Sequence, residues 1–243
     1  MWRPLPSAVA VRPALSFDTL RGPVLRLLVL VLFALPALAA QPYHLELEAA
    51  PAAAFPYLGR FGTVELHVYA RGVRAETFWL NGFSRKGEAA VTVMNPLARM
   101  YVEVPLRDIA PMLTRLAGTA GALERSLAPV MEAPVRGSVG RIAATRHRLT
   151  YGPAGWIDVW TTDAIPENEQ LRVIVDELVR GISPGTANVS RTLRGTPVYV
   201  ELNFRRFRNV QLLKLKKLTF GEDEEGLTLP PFYVRHALLE LLF

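Results

Sequence analysis

Residues 140–182, GRIAATRHRLTYGPAGWIDVWTTDAIPENEQLRVIVDELVRGI, are the most informative part of the sequence for the fold. Apolar and polar residues alternate over residues 142–151 and again over 156–162, which is typical of β-strands with one solvated face. The Gly-Pro-Ala-Gly sequence at 152–155 separates the two runs, and its residues favour a chain reversal. The stretch therefore predicts an antiparallel hairpin.

A helix is predicted after this hairpin. Pro166 is expected in its first turn, where a missing N–H has no cost, and Glu167 and Glu169 favour the same end. The apolar residues that follow recur at helical spacing: Leu171, Ile174, Val175, Leu178 and Val179. We expect this stripe to pack on the sheet, and the helix to end within residues 181–185.

Similar alternation predicts further strands of the same sheet. They cover residues 43–48, 63–70, 74–81, 89–94, 99–104, 198–204 and 212–220. Asn81-Gly82 and Asn95-Pro96 are expected to be turns. Apolar residues over 106–116 and 123–131 predict two helices between the strands. Because pairs of short strands joined by turns favour an antiparallel sheet, the predicted class is α+β.

The N-terminal residues have the layout of a secretory signal peptide. Arg21 and Arg26 precede the apolar residues 27–40, which contain the small-residue end Ala37-Leu38-Ala39. We expect a signal peptide at 1–40, a single domain over 41–243 and a periplasmic location. The alternative is an inner-membrane anchor at 27–40, although about 14 apolar residues fall short of the roughly 20 that span a bilayer.

Composition excludes several classes of protein. The 243 residues include no cysteine, which rules out disulfides, thiolate catalysis, thiolate-bound metals and a lipid-modified cysteine. The formal net charge is +6, and the arginines of the leader contribute part of it. An excess this small does not indicate nucleic-acid binding.

No catalytic motif is present. The four histidines, His44, His67, His147 and His236, stand apart in the sequence and have no metal-binding spacing. Neither a Gly-x-Ser-x-Gly elbow nor a phosphate-binding loop occurs. Asp158 is a lone carboxylate between two tryptophans and is interpreted as a residue of a strand face. We therefore expect a protein that is not an enzyme, with no cofactor, catalytic residue or metal ion.

Two sets of side chains are candidates for binding, and the first is aromatic and sulfur-bearing. It would line an apolar ligand site if its members shared one face of the sheet. The set consists of Trp79, Phe83, Met94, Tyr101, Trp156 and Trp160. The alternative is that these residues form an ordinary core under the helices.

The second set is basic and lies around Phe204 and Phe207. It would bind anionic lipid headgroups or an acidic partner protein. The set consists of Arg205, Arg206, Arg208, Lys214, Lys216 and Lys217. The alternative is a solvated sheet face whose charge is balanced by the acidic residues 222–225.

The order of strands and helices behind a signal peptide resembles the LolA/LolB/LppX superfamily, in particular an uncharacterised LolA-like subgroup. Two short motifs carry the resemblance: Tyr101-Val102-Glu103-Val104-Pro105, and Ile157-Asp158-Val159-Trp160 followed by Pro166. The resemblance extends over residues 43–178, whereas residues 198–243 depart from it and are expected to add strands or a flap. It implies a strongly curved antiparallel half-barrel with helices over its concave face.

The resemblance also implies a function, because members of the family carry lipoprotein acyl chains across the periplasm. Our first hypothesis is a non-catalytic carrier or sensor in the cell envelope. It would bind an apolar or acyl-chain ligand, with residues 106–131 and 166–182 as a helical lid. The second hypothesis is an envelope interaction or structural module with a filled core and no ligand, which contacts another protein or a membrane surface.

Overall fold

Thirteen strands of the described chain pair in one sheet. The computed structural model describes residues 42–49, 62–78, 80–117, 127–204, 207–221 and 226–237. These residues belong to one compact unit. The predicted signal peptide lies outside them.

The first half of the chain forms antiparallel strands that pair in sequence order. The strands are β1 (Tyr43–Ala49), β2 (Thr63–Tyr69), β3 (Gly72–Glu76), β4 (Asn81–Arg85), β5 (Ala90–Asn95) and β6 (Met100–Pro105), and helix α1 (Leu106–Ala117) follows. The alternating pattern predicts β1, β2, β5 and β6, but it misses β4 and places the strand that corresponds to β3 over residues 74–81, beyond its observed end at Glu76. Asn81-Gly82 lies inside β4 and is not a turn, because the chain reverses earlier, where the Thr77 N–H bonds the Leu80 carbonyl oxygen.

The second half contains the predicted hairpin. Its elements are β7 (Val130–Met131), β8 (Val135–Val139), β9 (Ile142–Thr150), β10 (Gly155–Thr162), α2 (Glu169–Ile182), α3 (Pro184–Ser190), β11 (Thr196–Phe204), β12 (Phe207–Phe220) and β13 (Val234–Arg235). The helix predicted over 123–131 is wrong at its end, since β7 is extended, and residues 118–126 lie outside the described residues. The sequence patterns predict neither β8 nor α3. In the part of the chain that the structure describes, no helix is long and apolar enough to cross a membrane.

The strands pair in the order β13-β6-β5-β4-β3-β2-β1-β12-β11-β10-β9-β7, and β8 also pairs with β9. β1 lies between β2 and β12, so the pairing of β1 with β12 joins the strands of the first half of the chain to those of the second half. β13 runs parallel to β6 whereas the other pairs are antiparallel. The α+β prediction is thus confirmed, but the sheet is mixed. Among the described strands the two ends of this order do not pair, so the sheet is open.

The hairpin forms as predicted, with β9 and β10 antiparallel on either side of a 3-10 turn at Gly152–Ala154. Gly155 has a φ of 143°, and a Cβ atom there would lie 2.2 Å from the carbonyl oxygen of Asn203 on β11. Only glycine avoids both the strained backbone and this contact. The glycine therefore allows β11 to lie close against the end of the hairpin.

Helix α2 begins at Glu169, so Pro166 is not in its first turn as predicted. Asn168 is the N-cap, because its side-chain oxygen accepts a hydrogen bond from the Leu171 N–H at 3.0 Å. Pro166 precedes the helix, and its carbonyl oxygen accepts a hydrogen bond from the Tyr43 hydroxyl at 2.9 Å. The chain entering α2 is therefore tied to β1.

Removing this cap is expected to destabilise the protein by about 1 kcal/mol. Asn168→Ala deprives the Leu171 N–H of its acceptor, whereas Asn168→Asp keeps an acceptor oxygen at the helix N-terminus. Both variants lose the long 3.5 Å contact from Asn168 Nδ2 to the Tyr69 carbonyl oxygen, so that contact cancels between them. Urea unfolding at pH 7 should give Asn168→Asp a higher free energy of unfolding than Asn168→Ala. Equal stabilities would show that the cap does not stabilise α2.

The pairing register assigns the strand residues to two faces. One ladder crosses the sheet from β6 to β1, through Val102, Val93, Gly82, Ala75, Leu66 and Leu45. The three helices pack against apolar residues of this side, and we call it the helix face. We call the other side the opposite face.

Candidate functional site

Two of the core clusters on the helix face meet in the middle of the sheet. One is built around β1 and includes Leu171 and Ile174 of α2 at its margin. The other is built around Leu149 and Val159 and has Val189 of α3 at its margin. Val200 on β11 and Leu213 on β12 are cross-strand partners that belong to the margins of the two different clusters. Both stay half-buried, and we call this pair the seam.

By pairing register, the predicted ligand residues that the structure describes lie on the opposite face, although Trp160 also packs at the margin of the core cluster built around β1. Met94 pairs with Tyr101 there, and a ladder from Trp160 through Tyr199 and Lys214 reaches the same side of β1. Trp79 lies outside the described residues. The three helices pack on the other side of the sheet, so they do not cover Phe83, Met94, Tyr101 or Trp156.

Three of the predicted residues do come together. Phe83 and Met94 are buried with Tyr69 and Leu227, and Tyr101 packs against them half-buried. The covering residue, Leu227, belongs to residues 226–237, which we call the C-terminal segment. A ligand could reach Phe83 and Met94 only if this segment moved.

The C-terminal segment is fixed by two arginines of the opposite face. Arg85 donates from Nε at 3.1 Å and from Nη2 at 2.9 Å to the Leu227 carbonyl oxygen, and its guanidinium lies 5.5 Å from the Phe83 ring centroid. Arg74 donates to the Gly226 carbonyl oxygen. At the far end, β13 pairs with β6. These bonds favour a structural role for the segment.

Trp156 and Trp160 lie apart from that cluster, on β10. The Arg148 guanidinium lies 4.9 Å from the Trp156 ring centroid and donates two hydrogen bonds to Asp158, at 2.8 and 2.7 Å. These bonds raise the pKa of Arg148 and give Asp158 a partner that the sequence does not show. The Trp160 ring reaches Gly137, where a Cβ atom would lie 2.8 Å from Cζ3. Both tryptophans thus have structural contacts.

The basic set is matched by acidic residues of the neighbouring strand. Lys216 Nζ lies 3.4 Å from Glu48 Oε2, and the register places Lys214 opposite Glu48 and Lys217 opposite Glu46. The register shifts at this point, which leaves both Lys216 and Lys217 exposed. Arg208 is exposed, and Arg205 and Arg206 lie outside the described residues. This arrangement fits the alternative of a solvated, charge-balanced face, although the counter-charges come from β1.

The sequence patterns miss one group of side chains. His44 and His67 were expected to stand apart, which is wrong: they are direct cross-strand partners on β1 and β2, and their ring centroids lie 4.4 Å apart. Glu65 lies beside them on the opposite face. The sequence does contain an indication of this group. Alternation places His44 and Glu46 on one face of the first strand and His67 and Glu65 on one face of the second, and the two strands were predicted to belong to the same sheet.

Neither a protein-family model nor a curated protein matches the sequence. Among solved structures, an uncharacterised conserved protein from Thermus thermophilus aligns with a TM-score of 0.44 and 11% identity, over 80% of this chain and 90% of that one. LprF from Mycobacterium bovis aligns with a TM-score of 0.29 and 12% identity, over 79% of this chain and 89% of that one. At these scores neither similarity assigns a fold or a function.

Proposed function

We propose that this chain is a non-catalytic binding protein for an apolar ligand, of the acyl-chain class, in the cell envelope. The ligand would lie between the helix face and the helices, over the seam. The resemblance to LolA-like proteins and the leader at 27–40 led to the same class and to a periplasmic location, with a half-barrel as the expected shape of the sheet. The open sheet with helices on one face is compatible with that shape.

The observation that carries the proposal is the partial exposure of the seam. Val200 and Leu213 lie in the middle of an apolar face beside buried Val198 and Leu215, yet both are only half-buried. Leaving apolar area accessible at this position forfeits about 25 cal/mol for each Å². An acyl chain laid along the seam would cover this surface without needing a hydrogen-bond partner.

The attachment of the helices supports a movable cover. α1 and α2 pack against each other where Gly181 faces Ala110 and Leu113, since a Cβ atom at Gly181 would lie 2.7 Å from Leu113 Cβ. α2 is held to the sheet near its N-terminus, where Gln170 Nε2 donates to Ser84 Oγ at 2.7 Å. Because α1 and α2 pack on each other, they would separate from the sheet as one body.

The proposal is tested by binding of a fluorescent long-chain fatty acid to the purified protein, together with mass spectrometry of its organic extract. Leu213→Gln places an amide in the seam and is expected to weaken binding about 10-fold or more, because an unpaired amide in an apolar contact costs about 1–3 kcal/mol. Lys214→Gln is the matched control, since Lys214 is next to Leu213 in the chain but its side chain is exposed on the opposite face. We expect wild type and the control to bind alike.

Two results would contradict the proposal. The first is a lipid-free extract together with no saturable binding of the fatty acid. The second is equal binding by wild type and Leu213→Gln. Either outcome favours the alternative function, an envelope interaction or structural module with a filled core.

A further inference from the structure

The opposite face carries a histidine pair in the middle of the sheet. His44 on β1 and His67 on β2 are direct cross-strand partners, and their rings stack at 4.4 Å with an angle of 14° between the planes. The Tyr69 ring also stacks with His67, with 6.1 Å between the ring centroids. Both imidazoles are therefore held on rigid strands, and their side chains are 15% and 16% exposed.

Glu65 completes a three-residue group. Its Oε2 atom lies 3.8 Å from His44 Nε2 and 3.9 Å from His67 Nε2, and the three ligand atoms lie within 4.8 Å of one another. Ligand atoms at 2.0–2.1 Å from a tetrahedral Zn²⁺ are separated from one another by about 3.3 Å. A contraction of about 0.5 Å at each Glu65 distance, and of no more than about 1.5 Å between any two ligand atoms, would reach that geometry. Side-chain torsions would have to supply this movement and also tilt the two rings, which stack with an angle of 14° between their planes, so that both Nε2 lone pairs point at one ion.

The charge distribution favours a cation at this place. The register puts Glu46, Glu65 and Glu76 directly opposite one another on β1, β2 and β3. Like charges directly opposite in a sheet are destabilising. Arg74, which lies opposite His67, forms an ion pair with Glu76, and Lys217 lies opposite Glu46. The two outer carboxylates of the row therefore have a cationic neighbour, whereas Glu65 faces the two histidines. A divalent cation beside Glu65 would relieve this repulsion.

We propose that His44, His67 and Glu65 form a binding site for a divalent transition-metal ion of the zinc class. Two imidazole nitrogens and one carboxylate oxygen are ligands that such ions prefer. Three protein ligands leave the fourth position to water or to a donor group of another molecule. The site is separate from the seam, because the two lie on different faces of the sheet.

The test is a titration of the purified full-length protein with Zn²⁺, by calorimetry and by competition with a chromogenic chelator. We expect one bound ion per chain. His67→Gln and Glu65→Gln should each weaken binding by about 100-fold, since even the loss of an outer-shell partner costs 10–100-fold in metal affinity. His147→Gln is the control, because His147 lies on the helix face and contacts the Thr161 hydroxyl at 3.1 Å. It should bind Zn²⁺ like the wild type.

Several results would overturn the proposal. No stoichiometric Zn²⁺ binding is one, and unchanged affinity in both His67→Gln and Glu65→Gln is another. Equal losses in His147→Gln would place the ion elsewhere. Glu65 is half-exposed, so Glu65→Gln should fold. This variant keeps the test decisive if His67→Gln does not fold.

Replacement of Zn²⁺ by Co²⁺ gives a second readout. The visible absorption of bound Co²⁺ should show tetrahedral coordination in the wild type and should change in Glu65→Gln. Fatty-acid binding at the seam is not expected to respond to either substitution.

Discussion

Replacing Leu227 with alanine is expected to lower the free energy of unfolding by about 2–4 kcal/mol. Leu227, in the C-terminal segment, is 6% exposed and packs onto Tyr69, Phe83 and Met94 of the sheet. The truncation removes apolar atoms from this cluster and leaves a cavity above the aromatic rings. Urea unfolding at pH 7, followed by circular dichroism, measures the difference between wild type and Leu227→Ala.

The surroundings of Leu227 indicate that the cavity would not collapse. A Cβ atom at Gly72 would lie 3.0 Å from Leu227 Cδ1 and 2.4 Å from the Ser84 carbonyl oxygen. Leu227 thus rests directly on the backbone of β3 where β3 pairs with β4. Paired strands cannot move inward to fill the space, and the cost of a truncation rises with the cavity that remains.

Phe232→Ala is the control within the same segment. Phe232 is 84% exposed, so its truncation should change stability by no more than about 0.5 kcal/mol. A similarly small loss for Leu227→Ala would contradict the prediction. It would mean that the C-terminal segment separates from the sheet without unfolding it, and Phe83, Met94 and Tyr101 would then be accessible to a ligand.

The sequence predicts strands well where alternation is strong and both flanks are marked. The hairpin over 142–162 is an example, because Gly152 and Gly155 mark its turn and each run has one apolar side. Val135–Val139 carries no such signal: it contains a glycine, and its residues are mostly exposed along an edge. α3 is hidden for another reason, since Pro184 ends one helical pattern and also starts the next helix.

Helix α2 shows the limit of a periodic pattern. Leu171 and Ile174 pack on the sheet as expected, but Val175 and Leu178 of the same predicted stripe are 37% and 38% exposed. The pattern gives the angular position of side chains around the helix axis. It does not give the tilt of the helix or the width of the surface below it, and these decide how much of the stripe is covered.

The candidate site could be predicted only in part. Parity along β10 places Trp156 and Trp160 on the same side, and the structure agrees. Alternation along a strand does not tell which face of the sheet meets the helices. In the structure the helices lie on the face of the seam, and the pairing register places the two tryptophans on the other face. The His44–His67 pair depends on the register between β1 and β2, which a connection through residues 50–61 does not fix in the way that a short turn does.

Alkaline pH is expected to destabilise the protein through Tyr43. The side chain is 2% exposed, and burial raises the pKa of its hydroxyl from 10.0 to about 12. Above pH 10 the tyrosine of the unfolded chain loses its proton while Tyr43 in the folded protein keeps its own. The contribution of Tyr43 to the free energy of unfolding is therefore fully present below pH 10. This contribution, about 2–3 kcal/mol, is lost as the pH rises through about 12.

The Tyr43→Phe variant separates this effect from the other groups that titrate at the same pH. The neutral hydroxyl donates to the Pro166 carbonyl oxygen, so Tyr43→Phe should be about 1 kcal/mol less stable than wild type at pH 8. Lysines and the remaining tyrosines, including Tyr199 with its pKa raised to about 12, are present in both proteins. Their contributions cancel in the difference between the two unfolding curves. The gap should therefore narrow and then reverse between pH 10 and 12, because only the wild type has a buried hydroxyl at position 43 that must stay protonated. A gap that stays constant across this range would show that Tyr43 ionises in the folded protein as readily as in the unfolded chain.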